Sequence, residues 1–102
     1  MESLWRTGDL IGKTVVDERG ARVGVVDDLN LSPQGWRVDG LLVTLDNKAA
    51  DMLGERKPLF GHAQVNIRTG RVQTAGDVVI LSGTLDELAV ALREAHRGEQ
   101  AY

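Results

Sequence analysis

The sequence predicts a mainly β fold: a small six-stranded, partly closed antiparallel β-barrel with a short helical insert and a C-terminal α-helix. Three observations carry that expectation. Turn signals recur roughly every dozen residues through the first half, the spacing of a meandering sheet. The apolar residues between those turns mostly repeat with a period of two. A capping box at Thr84-Leu-Asp-Glu87 then opens a stretch whose apolar positions recur at helical spacing.

Taken in order, "KTVVD" (13–17) reads as a strand and "ERGA" as a turn in which Gly20 takes a positive φ. "ARVGVVDDLNLS" (21–32) is a long strand whose alternation holds at Val23, Val25, Leu29 and Leu31 while Val26 faces the other way. Gly24 suits a bulge or tight bend within it, and Gly40 a bend in the next strand. "SPQG" (32–35) is a turn with φ preset by Pro33 and freedom supplied by Gly35, and "WRVDGLLVTLD" (36–46) follows as a third strand. In "NKAADMLGERKPLFG" (47–61) the period of two is lost; Asn47 caps a short helix that ends at Gly54, and Pro58 blocks continuation. "AQVNI" (63–67), "RVQTA" (71–75) and "VVILS" (78–82) complete the strands, the last two joined at Gly76-Asp77 as a hairpin. Leu85, Leu88, Leu92 and Ala95 form one apolar stripe on the terminal helix, and Asp86 and Glu87 favour its positive dipole end. Six short strands laid flat would leave open edges, which closure into a barrel removes. The expected organisation is a barrel over residues 8–82 and a helix over 84–97, packed on the barrel or at a dimer interface.

Composition narrows the function classes. A chain of 102 residues holds one domain with a modest core, and 42% apolar content suits a globular protein. The net charge of -3 gives no electrostatic reason to seek nucleic acid or an anionic membrane. No run approaches the ~18 apolar residues of a membrane span, so no transmembrane segment is expected. The N-terminus "MESLWRTGDL" lacks the basic start and apolar core of a signal peptide, which makes the cytoplasm the expected location. The absence of cysteine removes disulfides, thiol catalysis and thiolate zinc sites.

Strands 40–45 and 78–81 depart from simple alternation. In "GLLVTL" and "VVIL" apolar residues point both ways, although a strand with one wet face should alternate. Leu42 with Val38 is expected to fill the barrel, leaving Leu41, Val43 and Leu45 to be covered from outside. One helical stripe covers one such strand, and a second subunit burying a further ~800 Å² per partner would cover the other. The simpler alternative is that the terminal helix and the 47–61 insert supply all the cover within one chain. The candidate dimer or partner interface is accordingly Trp36, Leu41, Val43, Leu45, Val79, Leu81, Leu85, Leu88 and Leu92.

Motifs for chemistry are weak. "GDLIGKT" (8–14) imitates a phosphate-binding loop, but the glycine due at position 7 is Thr7, and a β-branched strand follows Lys13 where a helix should open. Asp27 and Asp28, adjacent in a strand, point to opposite faces and cannot share a proton. Asp46, Asp51 and Glu55 flank the short helix and read as solvated. His62 and His96 sit in no metal-binding spacing, and Ser3, Ser32 and Ser82 lie in no nucleophile elbow. No catalytic residues, cofactor or metal site are expected. Arg56, Lys57 and Phe60 form one short basic segment with an aromatic, able to meet a phosphate backbone or, more simply, to plug one barrel end. Trp5 lies ahead of the barrel and is positioned to pack over it.

"LIGKTVVDERGARVGVVDDLNLS" resembles the opening of a PRC-barrel domain: a Gly-Lys pair (Gly12, Lys13), a strand, an acidic turn closing on Gly20, then a strand with Gly24 and a late Asp28. "AGDVVIL" followed by "LDEL" is similar to that family's last hairpin, so the resemblance covers roughly residues 8–82. It implies a barrel that acts chiefly as an adaptor, as in the cytoplasmic part of the photosynthetic reaction-centre H subunit, the ribosome maturation factor and lone small proteins, some linked to cell division, which tend to pair. It further implies that Lys13 begins a barrel strand and holds no phosphate. The expected function is a homodimeric, non-catalytic adaptor that binds an unidentified protein. The alternatives are an RNA- or ribosome-associated module using Arg56, Lys57, Arg68 and Arg71, and a barrel holding a small ligand or metal.

Overall fold

The computed structural model describes residues 6–54 and 62–98, the last four as backbone only. One turn of helix, α1 (Thr7–Leu10), leads through Gly12 (φ 94) into β1 (Thr14–Val16). There follow β2 (Arg22–Ser32), β3 (Arg37–Leu45), α2 (Asn47–Leu53), β4 (Gln64–Arg68), a 3-10 turn (Thr69–Arg71), β5 (Val72–Ala75), β6 (Val78–Leu81) and α3 (Leu85–Gly98).

The six strands lie in one sheet in the order β4-β3-β2-β1-β6-β5. Four of the five pairings are antiparallel; β1 and β6 run parallel, Val15 facing Val79. The expectation of a wholly antiparallel barrel is corrected here. The chain meanders from β1 to β4, crosses the sheet and returns with β5–β6, which brings its last strand beside its first in the same direction. The sheet also does not close, because β4 and β5 end it unpaired with each other. Both edges are short and β5 is bulged, which blunts them as templates for further pairing.

Bulges explain the broken alternation of β2. Val15 and Val16 face Gly24 and Arg22, leaving Val23 as the extra residue; Val26 and Asp28 face Val43 and Leu42, leaving Asp27. Each extra residue shifts the two-residue period by one and sharpens the local twist, so Val23 and Val26 are both buried although three apart. On β3, Asp39 is the extra residue between Val38 and Gly40. Gly24 itself is no bulge; it is glycine because β3 passes directly over it, where a Cβ would overlap the Thr44 carbonyl.

One face of the sheet is fully buried. Val15, Leu41, Val43, Leu45, Val65, Ile67, Val79 and Leu81 join Ala49, Ala50 and Leu53 of α2 and Leu85, Leu88, Ala89 and Leu92 of α3 in a single cluster. The opposite face, with Val25, Leu42, Val78 and Ile80, is only half-buried. The expected inside and outside of β3 are thus exchanged: Leu41, Val43 and Leu45 fill the core, Leu42 faces outward, and Val38 is exposed. The two helices supply the cover within one chain.

Local chemistry closes the helices much as the sequence implies. In α3 the capping box is formed: the Thr84 N–H donates to Glu87 Oε1 (3.0 Å), and the Glu87 N–H donates to Thr84 Oγ1 (3.3 Å). Helix α2 ends at left-handed Gly54 (φ 71), but its N-cap is Asp46 rather than Asn47, and the Asp46 carboxylate is engaged by Arg22 instead of the helix.

The β2–β3 turn departs from expectation in one residue. The left-handed position is occupied by Trp36 (φ 51), while Gly35 keeps an ordinary φ. An L-residue there costs about 1–2 kcal/mol, and glycine escapes most of it. The Trp36→Gly variant is therefore expected to gain up to about 1 kcal/mol, read as a higher urea midpoint with an unchanged slope.

Candidate functional site

Eight of the nine residues expected at an interface are core. Leu41, Val43, Leu45, Val79, Leu81, Leu85, Leu88 and Leu92 are all buried within the single chain, so the surface they offer a partner is negligible. The exception is Trp36, which is 79% exposed at the tip of the β2–β3 hairpin. Leu31 (52%) and Val38 (39%), opposite each other across the same hairpin, are its exposed apolar neighbours. Arg56, Lys57 and Phe60, like Trp5, lie outside the described residues.

Val38 also lines an apolar groove of about 370 Å³. Leu10 of α1, Leu41 of β3, Val72 and Ala75 of β5 and Val79 of β6 form most of its remaining wall, with Thr69 its one polar side chain among the described residues. The groove lies between α1, β3 and the β5–β6 hairpin. The Asp39 bulge matters here: it shifts the period of β3 so that Val38 and Leu41 reach one groove despite their odd spacing. The groove residues Leu10, Val72 and Ala75 were not apparent as a group in the sequence, because two segments some sixty residues apart contribute them.

A second, polar cleft of about 440 Å³ lies beside the start of α3, lined by Asp17, Arg19, Arg22, Asp46, Lys48 and Asp86 among others. Its one buried charged group among the described residues is Asp17, 2% exposed. Both carboxylate oxygens are occupied: Oδ1 accepts from the N–H groups of Arg19 (2.9 Å) and Ala21 (2.8 Å), and Oδ2 from that of Leu85 (2.9 Å). Through these three backbone bonds the group ties the β1–β2 turn to the first turn of α3. The signal in the sequence was Asp17 three residues ahead of Gly20, the pattern of a side chain bonding its own turn.

The remaining chemistry-bearing residues are dispersed. Asp27 Oδ2 accepts from Gln64 Nε2 (2.8 Å), and Asp28 Oδ1 from the Leu29 N–H (2.8 Å). Asn30 and Asn66 bond side chain to side chain across β3. His62 is exposed, and no cluster of three potential metal-ligating side chains occurs among the described residues. Lys13 flanks β1, its carbonyl accepting from the Val26 N–H (2.9 Å), which places it in the sheet ladder. No helix among the described residues is long and apolar enough to cross a membrane.

A search of curated proteins finds no match to the chain. A family model, that of the PRC-barrel domain, matches residues 6–87, spanning every strand of the sheet and the capped start of α3. On that match, and on a six-stranded sheet backed by a terminal helix, the chain belongs to the PRC-barrel domain family.

Proposed function

We propose that this chain is a non-catalytic, cytoplasmic PRC-barrel adaptor that pairs with itself and binds a further protein. The observation that carries the reading is the exposed apolar tip of the β2–β3 hairpin, with Trp36, Leu31 and Val38 set beside an apolar groove. Tryptophan is among the residues that contribute most to protein interfaces, and an exposed one held in a disfavoured backbone conformation is retained at a cost to the fold. The buried carboxylate, the group best suited to acid–base work, is committed to three backbone donors, which supports a role without catalysis.

Sedimentation velocity across ~1–100 µM tests the pairing, in the range where a standard-sized interface of moderate quality associates. A weight-average mass rising toward twice 11.1 kDa is expected. A monomer throughout that range removes the self-pairing part of the reading.

A further inference from the structure

We propose that the pairing surface is the hairpin tip together with the groove: Trp36 of each copy inserts into the apolar groove of the other, about a twofold axis near Val38. This rests on the self-pairing reading above and names the surface that does it.

Three features favour a second copy over another occupant. First, a twofold contact requires one patch to be complementary to itself, so it must hold both a projection and a recess. Here the projection, Trp36 in the hairpin turn, and the groove wall, Val38 on β3, are two residues apart. Second, the charges suit it. The exposed residues on either side of Val38, Arg37 and Asp39, are of opposite sign, so the patch carries no net charge of its own. A rim of a single sign would repel a second copy. Third, the sizes agree. A groove of about 370 Å³ accommodates an indole. Two tryptophans bury roughly 300–500 Å² between them, a fitting centre for an interface to which Leu31, Val38 and the groove walls add further area.

The contact predicts reciprocity between projection and recess. Trp36→Ala removes the projection and leaves the groove intact; Ala75→Phe fills the groove and leaves the projection. Each is expected to weaken self-association at least tenfold by sedimentation, with the circular dichroism spectrum and thermal midpoint of the wild-type fold. Because Ala75 packs partly against the core, Val38→Arg at the exposed groove rim serves as a second groove variant whose folding is not in question. An equimolar mixture of Trp36→Ala with either groove variant is expected to associate more tightly than each alone, since one of the two insertions is restored. Wild-type dimers that persist unchanged in Trp36→Ala and Val38→Arg overturn the assignment while leaving self-pairing standing on another surface, such as the half-buried outer face of the sheet. A mixture no tighter than its components also overturns it. A wild-type monomer at 100 µM defeats the pairing reading itself, and with it this one.

Discussion

Asp17→Ala is expected to lower the stability of the fold by about 3 kcal/mol or more, with a fall in Tm of over ~10 °C. A single buried carboxylate holds three backbone donors from two distant parts of the chain. Arg19 and Ala21 belong to the turn that reverses β1 into β2, while Leu85 opens α3, sixty-eight residues on. The Leu85 N–H is one of the donors that a helix start leaves without an internal partner. Its bond to Asp17 is buried, and water cannot replace the carboxylate there without opening the contact between helix and sheet. A buried donor left unmade costs about 1–3 kcal/mol, and the two turn bonds, each to an ionised acceptor, add to it. Asp17→Asn is expected to cost roughly half as much, ~1.5–2 kcal/mol, because one carboxamide oxygen still accepts while the amide nitrogen opposes a donor. Urea unfolding of both variants checks the order. A loss below ~1 kcal/mol for Asp17→Ala would show that the carboxylate is not the link between turn and helix.

Gly24→Ala is expected to be comparably damaging, for a steric reason. A Cβ on Gly24 would overlap the Thr44 carbonyl oxygen and sit 2.9 Å from the Thr44 carbonyl carbon and 3.0 Å from Leu45 Cα. All three are backbone, so no rotamer change relieves them; β3 itself must move away from β2. Leu45, which faces Gly24 in the register, is fully buried in the core, so the displacement propagates into the main cluster. Overpacking of this kind costs typically 1–3 kcal/mol, and a clash with rigid backbone places the expectation at about 3. Gly76→Ala is the matching control: nothing lies within 4 Å of its Cβ and its φ is not positive, so a change within ~0.5 kcal/mol is expected. Denaturation midpoints of the two alanine variants that coincide would contradict the close approach of β2 and β3.

Stabilities of small domains are only about 5–15 kcal/mol, so either variant removes a substantial share. Trp36→Gly points the other way, toward a firmer fold that has lost its projecting side chain. On the proposed pairing, those two effects together are the usual trade between a binding side chain and the stability of the backbone that carries it.

Much of the fold was legible one segment at a time. The positive φ of Gly20, the hairpin at Gly76-Asp77, the end of α2 at Gly54 and the Thr84–Glu87 box all follow from chemistry contained within four or five neighbouring residues. Sequence therefore determined the existence and kind of nearly every element, and the family. What it did not determine was every relation between distant segments. That β6 lies parallel to β1, that β4 and β5 never meet, and that Leu41 points inward while Leu42 points out depend on register. Register in turn was reset by single extra residues at Val23, Asp27 and Asp39, each of which reverses the facing of all that follows on its strand. The groove beside Trp36 and the commitment of Asp17 to Leu85 arise only when those distant pieces are brought together, because local propensity carries no information about which far segment will arrive opposite.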